Sequence, residues 1–378
     1  MVILPMLENG LLERAAALTT SAWANGSTSE PVPAAVRSEN PQYQGRVLVL
    51  GFVPVLDQYK MESYNIIKGT IYLFMTTIGA VGNTLILLSF ALIIQQEHQL
   101  AKSETVLLHL AAANLIVYLT RTLPSVFYEY GWKNLFGDAS CKVVSYVFRI
   151  FRGMAIGLTC LLSCFQCGII SRTSVSMAEK LIIQSYVNPV IVVLYLANMA
   201  VNADVVIMTT KPYNATNFKY GFNPGFCLVM YPGRIPFEAK GYVSFAFDLL
   251  FVILMAMASF YILLILQRHR KKMKAVRSED QKEGHSPETQ AAKTVVFLVS
   301  SYVSFYSIDN MIWLSQTIIN ELSVVVSDIR VFFTMCYGVA FPKILLIFNN
   351  KIKTIALKSL YKKREDCGSY KANVHENT

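Results

Sequence analysis

CKVVSYVFRIFRGMAIGLTCLLSCFQCGIISRT, residues 141–173, decides how the chain is read. The run is apolar enough to cross a bilayer, yet Arg149 and Arg152 stand well inside it. At a rise of about 1.5 Å per residue, Arg152 lies about 16 Å below Cys141, near the middle of a hydrocarbon layer about 30 Å thick. An arginine at that depth costs at least about 2.5–3.5 kcal/mol, so it faces protein or water and marks function. Three residues apart, the two guanidiniums share one helical face. A ligand is expected on that face.

The rest of the chain agrees with a membrane protein. Of 378 residues, 54% are hydrophobic and only 15% charged, which argues against a soluble fold. Seven blocks are long enough to span a bilayer: 64–94, 105–127, 143–171, 186–208, 239–266, 293–319 and 324–348. They lack the period-two alternation of barrel strands, so the expected fold is all-α, a bundle of seven transmembrane helices over residues 61–350. Residues 1–60 mix Ala, Ser, Pro and charges without a sustained period and are expected to be a disordered extension. Met61 directly before the first block is an alternative start of translation. Residues 351–378 form a basic tail.

Charge sets the expected orientation. The formal charge is +10, concentrated in the fifth-to-sixth loop, with Arg268, Arg270 and Lys271 at its start, and in the tail from Lys351 to Arg364. Positive residues favour the cytoplasmic side, which places the tail inside and the N-terminus outside. Topology and contact with anionic lipid account for the charge, and nucleic acid is not needed as a partner. Cys141 and Cys227 then both fall on the oxidising side, where a disulfide is expected. Cys160, Cys164 and Cys167 read as packing residues in the third block, and Cys367 as either a palmitoylation site or an inert thiol. Asn214-Ala215-Thr216 is a glycosylation sequon in the same outer loop as Cys227; Asn25-Gly26-Ser27 is another, near the start.

Several fragments, in order, carry a resemblance. They are Arg149, Arg152 and Gly153, then Thr159 to Ser163 and Gln166; Gly82-Asn83; His109-Leu110 through Asn114; and Arg121 with Pro124. Asp248, Met255 through Ser259, Arg268-His269-Arg270, Ser286-Pro287-Glu288, Ala291, Thr294 and Val303 to Tyr306 complete the set. Together they resemble the vomeronasal type-1 pheromone receptors and their fish relatives, olfactory receptors related to class A of the G-protein-coupled receptors. The resemblance spans Met61 to about Lys353. It implies a plasma-membrane receptor of chemosensory neurons that binds a small pheromone or odorant and activates a heterotrimeric G protein of the inhibitory type. Arg172, Arg268, Arg270 and Lys271 are the candidate contacts with that partner.

The rhodopsin-like Asp-Arg-Tyr triplet is absent, and Asn114 stands near the place of the buried second-span aspartate, which argues against a sodium site. Asn349 to Lys353 is similar to bitter-taste receptors, the nearest alternative. A small-solute transporter is the alternative from another class and would show inverted repeats. No nucleophile–base pair or metal cluster points to an enzyme, and no cofactor is implied.

Roles follow from depth. Asp248 lies about 15 Å below Glu238, level with Arg152, and the two are expected to pair. Arg149, one turn nearer the outside, is the candidate to receive an anionic ligand group, because guanidinium takes a carboxylate by two parallel hydrogen bonds. Asp309 and Asn310 of the sixth span are expected near it. Tyr146 and Tyr306 are candidate pocket walls. Arg121, close to a span end, reads as snorkelling and structural.

Overall fold

The computed structural model describes residues 41–132, 135–171, 184–210, 220–222, 225–276, 287–319 and 324–357. Two compact units divide the chain, Met1–Glu62 and Ser63–Thr378. Of the stretch expected to be disordered, residues 1–40 lie outside the described ones, while residues 41–60 are helical within α1 (Pro41–Glu97).

Within the second unit, seven helices among the described residues are long and apolar enough to cross a membrane. They are Ser63–Glu97, Lys102–Glu129, Asp138–Ile170, Val187–Met208, Arg234–Arg268, Lys293–Ile312 and Asp328–Phe348, taken below as the first to seventh spans. The third is the central pillar. Of its most apolar window 72% is buried inside the protein, against 22% for the fourth and fifth spans, whose outer faces are left for lipid. Small residues bring neighbours close to it: a Cβ on Gly153 would collide with Asn198 Oδ1, and one on Gly157 would lie 2.9 Å from Leu194 Cδ2.

The first, second and seventh spans lock around one ring. Tyr118 is wedged between Gly79 and Gly338, and its hydroxyl donates to the Met335 carbonyl at 2.6 Å. Asn83 Nδ2 ties the first span to the seventh by donating to the carbonyls of Gly79 at 2.7 Å in its own helix and Gly338 at 3.0 Å. Gly79→Ala would drive a methyl into the Tyr118 ring, which cannot retreat because Gly338 backs it. Overpacking of this kind costs about 1–3 kcal/mol. The expected result is a lowered melting temperature in detergent, with Gly137→Ala, whose Cβ would meet nothing within 4 Å, as the neutral control. Equal melting of the two variants would refute the wedge.

At one end of the bundle, Cys141 is bonded to Cys227, with S–S 2.11 Å and Cα–Cα 5.6 Å, as expected from the sequence. The bond anchors a small antiparallel sheet of order β1 (Thr209–Thr210), β3 (Leu228–Met230), β2 (Gly221–Phe222), in which Val229 pairs with both Thr209 and Phe222. At the other end, Lys351 Nζ bridges Glu97 at 2.7 Å and Glu104 at 3.0 Å. Partial burial alone would lower its pKa, but the hydrogen bonds it donates to the two carboxylates, and their charge, outweigh that and raise it.

Candidate functional site

Between the spans, toward the disulfide end, lies a cavity of about 410 Å³. Its floor is a charge network built on Arg152. Nη1 donates to Asp248 Oδ2 of the fifth span at 2.9 Å, and Nη2 donates to Asp309 Oδ2 at 3.1 Å and Asn310 Oδ1 at 2.8 Å on the sixth. Arg330 Nε of the seventh span donates to the second oxygen of Asp309 at 3.0 Å. Four helices are thereby joined by two arginines and two aspartates, whose charges cancel. This is how membrane charges are tolerated, since each carries a partner and directed hydrogen bonds. Tyr306 lies beneath, its ring centroid 5.4 Å from the Arg152 guanidinium, stacked on Tyr302 at 4.1 Å.

A second cluster lines the cavity. Lys68 of the first span pairs with Glu129 at 2.8 Å and Asp328 at 3.1 Å. Tyr64 and Tyr72 hydroxyls also donate to Asp328. Near the sheet, Lys240 Nζ binds Asp204 Oδ1 at 2.7 Å, and Tyr231 donates its hydroxyl to Asp204 Oδ2 at 3.1 Å. Burial raises the Tyr231 pKa against the pull of nearby Arg149, so the phenol stays protonated and remains the donor.

The sequence readings are met unevenly. Arg152 and Asp248 do pair. Asp309 and Asn310 close on Arg152 and not on Arg149, because Arg152 lies at their depth and Arg330 holds Asp309 from the other side. Arg149 stands on the cavity wall, near the carboxylates of Asp204 and Asp248 and the Tyr231 hydroxyl. Tyr146 is not a cavity wall: its hydroxyl donates to the Met199 carbonyl of the fourth span at 3.1 Å. Tyr306 supports Arg152 from below without lining the cavity. Arg268 is exposed at the end of the fifth span, and Arg270 and Lys271 continue its helix. Arg172 and Asn214 lie outside the described residues.

Arg121 is the largest departure. Instead of reaching for a membrane surface it lines the cavity, with Phe148 and Phe226 rings 5.6 and 5.8 Å from its guanidinium. The cause is local. Pro124 has no N–H to give to the preceding turn, and Tyr118–Thr122 widens into a π turn in which Leu123 N–H reaches back to the Tyr118 carbonyl. The Ser125 hydroxyl donates to the Arg121 carbonyl at 2.8 Å. Arg330, Lys68, Glu129 and Asp328 also escaped the sequence reading. The signal was there for Arg330 and Asp328: both are charges inside the last apolar block, the argument that singled out Arg152.

A seven-helix membrane receptor is the class that this bundle, disulfide and charged inter-helical cavity define. The model of the vomeronasal organ pheromone receptor family matches residues 66–358. The chain is 35% identical over 289 residues to the olfactory receptor class A-like protein 1 of Danio rerio, covering 76% of this chain and 90% of that one. It is 30% identical over 247 residues to the human vomeronasal type-1 receptor 3, covering 65% and 79%. The chain belongs to the vomeronasal organ pheromone receptor family, and is thus a multi-pass chemosensory receptor of the G-protein-coupled type.

Proposed function

We propose that this receptor works at the plasma membrane, binds a small organic acid in the cavity and signals through a heterotrimeric G protein of the inhibitory type. The observation that carries the reading is the excess of arginine on the cavity wall: beyond the neutral network of Arg152 and Arg330 with Asp248 and Asp309, the wall holds Arg121 and Arg149. An acid group gains charge-assisted, bidentate hydrogen bonds there that an uncharged ligand does not. The ligand shifts the receptor toward signalling only through its differential affinity for the two arrangements of the helices. Arg172, Arg268, Arg270 and Lys271 are the proposed G-protein contacts, in keeping with the family. Asn214 is the proposed glycosylation site.

The test is a ligand screen in cells that express the full chain with a promiscuous G protein, using small organic acids and their amides. Acids are expected to evoke responses and amides to be silent. Arg149→Gln should raise the half-maximal acid concentration about ten- to a hundredfold, the equivalent of about 1.5–3 kcal/mol for a charged hydrogen bond, in responses normalised to surface expression. Equal responses to acid and amide, or an acid response untouched by Arg149→Gln, would overturn the ligand class.

A further inference from the structure

Among the described residues, the cavity wall is short of one negative charge. Its Arg152 network is neutral, the Lys68 cluster with Glu129 and Asp328 carries one surplus negative charge, and Arg121 with Arg149 adds two positive ones. Arg121 is where the deficit is most local. Among the described residues its guanidinium makes no ion pair and no hydrogen bond, only its two aromatic contacts. Its neighbours include Arg330 and Arg149, of like sign, and Asp309, which already holds Arg152 and Arg330. Two aromatic faces hold the cation in place but leave its N–H donors unused. A half-buried charge facing a cavity without a counter-charge is costly, and a small mobile anion can supply what is missing.

We propose that the part of the cavity bordered by Arg121, open to its guanidinium donors, is a binding site for a small monovalent inorganic anion, chloride in ordinary media, occupied before any organic ligand arrives. The site stands independently of the acid-ligand reading. It adds one consequence to it: an organic acid competes with chloride for the same guanidinium.

The experiment uses the purified full-length receptor in detergent, melted in sodium chloride and in sodium gluconate at equal ionic strength. Anything that binds the folded form alone raises its melting point with concentration and then flattens only logarithmically. Chloride should therefore raise the melting temperature by a few degrees over gluconate, with bromide and nitrate following it, and Arg121→Gln should remove the difference. Because that variant is itself at risk of poor folding, chloride-35 NMR on the unaltered receptor provides a second reading. Its line should broaden in the presence of protein and sharpen again on titration with nitrate. No anion dependence and no broadening would overturn the site, as would a dependence that survives intact in Arg121→Gln. In the cell assay, replacing external chloride by gluconate, a bulky, hydroxylated carboxylate checked first to evoke no response itself, should lower the half-maximal acid concentration severalfold. Chloride binding without any acid response would sink only the acid ligand; an acid response indifferent to chloride would sink the shared site.

Discussion

Asp309→Ala is expected to deplete the protein from the cell surface and to lower its melting temperature in detergent more than any other single change in the charge network. Asp309 is 2% exposed as a side chain and gives one oxygen to Arg152 and the other to Arg330. Its removal strands charge on two helices at once, and breaking a buried pair costs about 3–5 kcal/mol. Asp248→Ala is expected to be milder, since Arg152 would keep Asp309 and Asn310. Asp309→Asn retains one acceptor without the charge and should fall between the two. Surface staining against total protein, with melting of the purified variants, measures the order. Wild-type surface level and melting for Asp309→Ala would show that the network contributes little to the fold.

Cys227→Ser is expected to have an effect of similar size by a different route. The bond closes a loop across 86 residues of sequence, and loss of a native disulfide costs about 2–5 kcal/mol, through the freedom returned to the unfolded chain in the loop-entropy account. Cys141 and Cys227 are fully buried together with Phe226, against Tyr128, Phe136 and Val144. The same break frees Phe226, one of the two rings on Arg121, and the strand at the middle of the sheet. Reduced surface delivery and a lower melting temperature should appear, and Cys141→Ser should match it, with the double variant no worse than either. A double variant much worse than both singles would mean that each cysteine acts outside the bond.

The architecture was legible because lipid demands long apolar helices, and seven of them stand out without any tertiary information. Arg152–Asp248 was legible for a related reason: depth along a helix follows from residue counting, and charges at one depth seek each other. Rotation about the helix axis is harder to count. Asp309 and Asn310 were placed near Arg149 when they face Arg152, and Tyr146 was placed in the cavity when it faces the fourth span. Arg330 and Asp328 do not stand out because they sit close to the start of an apolar block, where charges usually mark the membrane surface. Arg121 is hidden for the same reason, compounded by a backbone that leaves α geometry at that residue.

That departure bears on how this helix is lined up with others. A π turn accommodates one residue more than the α turn it replaces, and one residue is worth about 100° around the axis. Beyond Thr122, therefore, a wheel drawn from Lys102 at 3.6 residues per turn is out of phase by about that angle. Ser125, Tyr128 and Glu129, which line the cavity, fall on other faces of such a wheel. Set beside a seven-helix protein whose second helix is α throughout, this one needs a single-residue gap between Tyr118 and Thr122. An ungapped alignment of equal length equates its cavity residues with positions that face elsewhere.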